Sequence, residues 1–112
     1  NSSPVVSDGI VYVGSGDSYL YAVDAKTGTE QWKFETDDAV NSSPVVSDGI
    51  VYVGSGDSHL YAVDAKTGTE QWKFETGNQV VSSPVVSDGI VYVGSADEHL
   101  YAVKILQSAN TK

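Results

Sequence analysis

Apolar residues run along the first forty positions in short blocks, each closed by a cluster of Ser, Asp, Gly or Thr. SSPVVS carries its proline near the start, where a strand tolerates one. Asp8-Gly9 stands between two apolar blocks, a two-residue hairpin signal. IVYVGS is β-branched and aromatic, GDS turns the chain, and YLYAVD continues in the same style. AKTG supplies a further turn in which Gly28 can take a positive φ. EQWKFET then alternates strictly, with Trp32 and Phe34 on one face and Gln31, Lys33 and Glu35 on the other. No helical period is present. The pattern predicts four antiparallel strands joined as a meander.

The same unit returns. Asn41–Val80 repeats Asn1–Val40 with four changes: His59 for Tyr19, Gly77-Asn78 for Asp37-Asp38, and Gln79 for Ala39. A third copy, with Ala96 and Glu98 as edits, follows the pattern to Val103 and then leaves it as KILQSANTK. Identity this high means recent duplication or deliberate design. A forty-residue, four-stranded unit has the length of one β-propeller blade. A lone sheet of this kind cannot bury both faces and must stack on copies of itself. The predicted fold is all-β: one repeat domain over 1–112, a partial propeller of three blades at about 1–40, 41–80 and 81–112, the last lacking its outer strand.

The stretch Ala22-x-Asp24-x-x-Thr27-Gly28-x-x-x-Trp32, and its repeat at Ala62, Asp64, Thr67, Gly68 and Trp72, resembles the tryptophan-docking motif of the pyrroloquinoline-quinone-like repeat propellers. That family includes quinoprotein alcohol dehydrogenases and a lipoprotein that helps assemble bacterial outer-membrane barrels. The third unit matches at Ala102 only; Lys104 replaces the aspartate. The resemblance implies that each indole docks between adjacent blades. The residues support a structural role by themselves, since Asp and Thr can bond turn amides and Trp presents a large flat apolar area. The tyrosines at 12, 21, 52, 61, 92 and 101 read as strand residues filling the space between blades.

Composition narrows the function. With six Lys, no Arg and a net charge of −9, the chain lacks the basic patch that nucleic acid or an anionic membrane surface requires. It has no Cys, and no apolar run long enough for a membrane span or a signal-peptide core. The absence of Met, even at position 1, implies a piece of a longer gene product, or a processed chain. The resemblance favours an extracytoplasmic or cell-surface location.

Serines recur three times in turn positions, whereas a catalytic residue is needed once, so the expected catalytic set is none. No metal or cofactor is expected either, because nothing resembles an oxygen-rich calcium loop and no acidic cluster occurs once only. His59 and His99 lie one repeat apart but lack a third ligand. Loops joining strands two to three, and each blade to the next, should open on one face, and nearly all differences between copies fall there. The expected binding face is therefore an acidic rim of Asp17, Asp37, Asp38, Asp57, Asp97 and Glu98 around Tyr19, His59 and His99, suited to a protein partner. The apolar faces of the end blades predict ring closure by dimer or trimer, or the remaining blades of a longer chain. Ile105-Leu106 is expected to cover part of the open edge. The functional expectation is a non-enzymatic, protein-binding scaffold or a self-assembling blade array; the alternative is a fragment of a quinone-dependent dehydrogenase.

Overall fold

The computed structural model describes residues 3–105, which form three antiparallel sheets and no helix. The first sheet holds β1 (Val5–Ser7), β2 (Ile10–Gly14), β3 (Tyr19–Asp24) and β4 (Glu30–Glu35) side by side in chain order. The second repeats it with β5 (Val45–Ser47), β6 (Ile50–Gly54), β7 (His59–Asp64) and β8 (Glu70–Glu75). The third has β9 (Val85–Ser87), β10 (Ile90–Gly94) and β11 (Leu100–Lys104), ending on β11. This is a propeller arc of three blades, as the repeat length predicts.

Turn chemistry sets the register. Asp8 and Gly9 take φ of 50° and 78°, both positive, as a type I′ hairpin requires, and pair Ser7 with Ile10. The loop between β2 and β3 is a three-residue hairpin: Ser18 N–H donates to Ser15 O at 3.3 Å and Ser15 N–H to Tyr19 O at 3.0 Å. Its last position is left-handed, a place where glycine is usual, yet it holds Ser18 (φ 80°), Ser58 (φ 75°) and Glu98 (φ 71°). Ser58→Gly is therefore expected to stabilise the protein by about 0.5–1 kcal/mol, by removing the Cβ clash of the left-handed state. A thermal melt should show a rise of a few degrees.

Stacking explains why β2 and β6 are apolar on both faces. The even-numbered side chains of sheet one, Tyr12, Leu20, Ala22 and Trp32, pack on the odd-numbered Val51, Val53, Tyr61 and Val63 of sheet two. Sheet two turns Tyr52, Leu60 and Ala62 the other way, onto Val91 and Val93 of sheet three. Two cores result, one in each gap. The middle blade is buried on both sides, whereas the last leaves Leu100 74% exposed although Leu20 and Leu60 are 0% exposed.

Close approach demands glycine at the end of β2 and β6. A Cβ on Gly14 would overlap the side chain of Val40, and one on Gly54 would sit 2.7 Å from Val80 Cβ. At the inner strands the SSP motif links blades. Ser43 Oγ accepts the amide of Ser3 at 2.7 Å, and Ser83 Oγ that of Ser43 at 3.0 Å. Ser42 and Ser82 turn inward to accept Gly54 and Gly94 N–H at 3.2 and 2.7 Å. No helix long and apolar enough to cross a membrane occurs among the described residues.

Candidate functional site

The residues singled out in the sequence fall at two places, one in the gap between sheets and one at an edge of the arc.

In the gap, each Asp-x-x-Thr-Gly turn is locked by its own side chains. Asp24 Oδ1 accepts the amides of Lys26 and Thr27 at 2.8 and 3.0 Å, and Gly28 N–H returns to Asp24 O at 2.9 Å. Those turn amides hold the Asp24 carboxyl below its usual range. Asp64 repeats the pattern with Lys66 and Thr67 at 2.9 and 3.1 Å. The second-blade turn is the seat for the first-blade indole. Trp32 Nε1–H donates to Ala65 O at 2.9 Å, and the ring lies so close to Gly68 that a Cβ there would sit 2.7 Å from Trp32 Cδ2. Ala22, opposite Trp32 on the neighbouring strand, is small and fully buried. Tyr12 flanks the indole at 5.9 Å between ring centroids.

Thus one turn and one tryptophan form a unit only across two copies. Gly28, at the outer face of the arc, has nothing within 4 Å of a would-be Cβ. Trp72 stacks beside Tyr52 at 5.9 Å and joins the second core, where Ile105 takes the place of Ala65. Ile105 N–H donates to Gly89 O at 2.8 Å, as Ala65 N–H does to Gly49 O at 2.9 Å. Leu106, expected to help cover the edge, lies outside the described residues. A cleft of about 350 Å³ opens beside Trp32, with Asp8, Gln31 and Lys66 on its walls.

At the edge, the loops between second and third strands and those linking blades meet. Thr36 N–H donates to Ser18 O at 2.8 Å and Val40 N–H to Ser15 O at 3.0 Å, both within the first blade. Across blades, Gly56 N–H donates to Ala39 O at 2.8 Å and Asp37 N–H to Asp57 Oδ2 at 3.0 Å. In the next gap Ala96 N–H reaches Gln79 O at 2.8 Å and Gly77 N–H the Tyr101 hydroxyl at 3.0 Å.

Each blade carries the same Asp–Tyr latch. Tyr21, Tyr61 and Tyr101 donate their hydroxyls to Oδ2 of Asp17, Asp57 and Asp97. Oδ1 of each aspartate accepts the amide two residues on, at 3.0–3.1 Å. The phenol bond draws Asp17 and Asp97 below the usual carboxylate range. In return the Asp17 bond pushes Tyr21 up to about 12, while Tyr61 is raised mainly by burial and then by Asp57. Tyr101 rises through its bond to Asp97.

Not every predicted rim residue faces solvent. The Asp57 side chain is only 6% exposed and serves as a latch between blades. Asp17, Asp37, Asp38, Glu98 and His99 are exposed. Tyr19 lies under the Lys33 ammonium, 4.8 Å from its ring centroid. His59 and His99 each stand over their own blade's tyrosine, at 5.8 and 6.1 Å. Among the described residues no group of three or more His, Cys, Asp and Glu is placed to hold a metal ion.

The latches predict how stability varies with pH. Asp17, Asp24 and Asp97 are lowered on folding, so their contribution is complete above about pH 4 and disappears as pH falls through the folded-state values. Tyr21 is raised, so its contribution is complete below about pH 10 and is lost as pH rises towards its folded value of about 12. Melting temperature followed against pH should show a plateau that declines at both ends. In Tyr21→Phe the alkaline decline should shrink.

The family model described as outer membrane protein assembly factor BamB matches residues 1–109. Among solved structures the chain is similar to BamB from Moraxella catarrhalis, with a TM-score of 0.82 and 23% identity over 91% of this chain and 32% of that one. The computationally designed Ika4 protein gives 0.79 and 22%, covering 92% of this chain and 64% of that one. Quinohemoprotein alcohol dehydrogenase from Comamonas testosteroni gives 0.74 and 32% identity, covering 91% of this chain and 18% of the enzyme. The first two likenesses speak for the fold alone. A search of curated proteins returned no match. The chain spans a third or less of the natural structures it resembles. With the blade geometry and a family match over nearly its whole length, the chain belongs to the pyrroloquinoline-quinone-like propeller repeat family whose model is described as outer membrane protein assembly factor BamB.

Proposed function

We propose that this chain is a non-enzymatic propeller segment that binds a protein partner through its acidic rim, within a larger envelope or cell-surface assembly. The observation that carries this reading is the exposure of Asp37, Asp38, Glu98 and His99 on one edge, where most of the differences between copies fall. Charged exposed loops on a rigid scaffold are where recognition is usually built. The partner's surface would be cationic, meeting a field of net −9. A matching family model named for an assembly factor supports the protein-binding class. By the same reading, the open end faces take further blades, from a longer chain or from additional copies in a dimer or trimer.

An oligolysine peptide tests the rim, titrated by calorimetry at low and moderate salt. Neutralising Asp37, Asp38 and Glu98 to amides should weaken binding several-fold. Neutralising Asp8, Asp48 and Asp88, which lie in the hairpin turns at the other edge, changes net charge equally and should weaken it little. Equal losses would mean a response to net charge alone and would defeat the rim reading.

The 32% identity to a quinohemoprotein alcohol dehydrogenase favours one second reading, a dehydrogenase fragment. Adding quinone and Ca²⁺ separates the two. A red-shifted bound chromophore or calcium-dependent stability would support the enzyme fragment, and neither is expected of the scaffold.

A further inference from the structure

The cleft beside Trp32 joins two charges of opposite sign to an apolar lining, and its walls come from different blades. The first blade supplies Asp8, Ile10, Tyr12 and Trp32, and the second supplies Ala65 and Lys66. Its volume, about 350 Å³, lies within the roughly 300–1,000 Å³ of small-molecule sites. Ile10 and Ala65 are half-buried against the core of this gap, to which Tyr12 and Trp32 belong. A mainly apolar lining with a few polar groups is what holds and orients a small ligand.

The polar groups of this cleft are uncommitted. Asp17, Asp24, Asp57, Asp64 and Asp97 each accept an amide of their own turn. The Asp8 carboxylate has no hydrogen-bond or ion-pair partner among the described residues, and neither has the Lys66 ammonium. The Tyr12 hydroxyl donates to Ala65 O at 3.5 Å, well beyond the usual span of about 2.5–3.0 Å for a hydroxyl donor. Burial, and after it the Asp8 and Asp64 charges, raise the Tyr12 phenol and keep it a donor at neutral pH. An anion, a cation and a loosely held donor thus border one apolar space.

The next gap shows how that space can be filled. There Ile105 stands where Ala65 stands here, bonded to its hairpin at 2.8 Å as Ala65 is at 2.9 Å. Its larger side chain packs on the second core. In the first gap the alanine methyl leaves the room open.

We propose that this cleft binds a small zwitterion with a hydrocarbon body, the class of apolar amino acids and dipeptides. Its ammonium would pair with Asp8 and its carboxylate with Lys66, while its side chain would lie against Ile10, Tyr12 and Trp32. A ligand with one charge would leave the other wall unanswered. Asp8 lies at the edge of the hairpin turns, away from the acidic rim, so the proposal does not depend on the rim reading.

Phenylalanine and the dipeptide leucyl-phenylalanine are the probes, titrated by calorimetry and by the NMR shift of the Trp32 indole N–H. Saturable binding at one per chain is expected, and the tighter probe tells amino acid from dipeptide. Acetylating the amine or amidating the carboxylate of that probe should each weaken binding about fivefold or more. Asp8→Asn and Lys66→Gln should do the same with the melting temperature unchanged, since neither side chain has a partner to lose. Asp88→Asn and Lys26→Gln alter the same turn positions outside the cleft and should leave binding intact. Ala65→Ile, which copies Ile105, should close the cleft and abolish binding. Absence of saturable binding, equal binding of the blocked probes, or losses at Asp88 and Lys26 matching those at Asp8 and Lys66 would overturn the proposal.

Discussion

Replacing Trp32 with alanine should destabilise the protein by about 3–5 kcal/mol, the usual cost of removing a large buried aromatic. The indole is 9% exposed, joins the core shared by sheets one and two, and spends its N–H on a carbonyl of the next blade. Deleting it opens a cavity and takes the shorter of two hydrogen bonds from the Ala65 oxygen, leaving the Tyr12 hydroxyl at 3.5 Å. Trp72→Ala should cost less, about 2 kcal/mol, because that indole is only half-buried, at the last gap. Urea unfolding of the two variants gives the comparison directly. Equal costs would mean that the docking at Ala65 and Gly68 adds nothing to burial of the ring.

The second large effect is expected at Gly68. Gly28 and Gly68 take φ of 75° and 77° in turns of identical sequence, so replacing either with alanine carries the same left-handed penalty of about 1–2 kcal/mol. They differ in what lies above them. A Cβ at position 68 would press into the Trp32 ring, whereas at 28 it would meet nothing within 4 Å. Gly68→Ala should therefore cost about 1–3 kcal/mol more than Gly28→Ala through overpacking and displacement of the indole. The sequence offers no reason to distinguish these glycines; the difference arises only from one blade standing in front of another. Stability curves for the pair would read it, and matching losses would remove the ring from its assigned seat.

Strands and tight turns were legible because their signals are local. Alternation in EQWKFE and the Asp8-Gly9 dipeptide act over a few residues, and the repeat period multiplies both. The third sheet was legible too, since its letters match the others as far as Val103. What each motif touches was less accessible. The Asp-x-x-Thr-Gly turn and the Trp that follows it look like one local unit, but the turn at Gly68 receives the Trp of the preceding blade. The left-handed residue of the second loop was hidden because Ser18, Ser58 and Glu98 carry none of the usual glycine signal. That the loops joining strands two to three and those linking blades meet at one edge follows from meander topology alone. Sequence could not tell that Asp57 is turned inward to hold Tyr61 and the Asp37 amide, for an acidic loop residue is ordinarily solvated. The inner serine ladder was missed for a similar reason. Ser3, Ser43 and Ser83 read as strand-start residues, and their partners lie forty positions away.

The stretch AVDAKTGTEQWKFET is thus an inter-blade clamp made of two halves, a turn on one blade and an indole from the blade before it. A double-mutant cycle between Trp32 and Gly68 tests that claim most directly. If the ring sits on the glycine, Gly68→Ala in a Trp32→Ala background should cost no more than Gly28→Ala does in the wild type, because nothing is left above position 68 to be displaced. If Gly68→Ala costs the same with and without the indole, the two residues do not interact, and the turn and the tryptophan do not form a clamp.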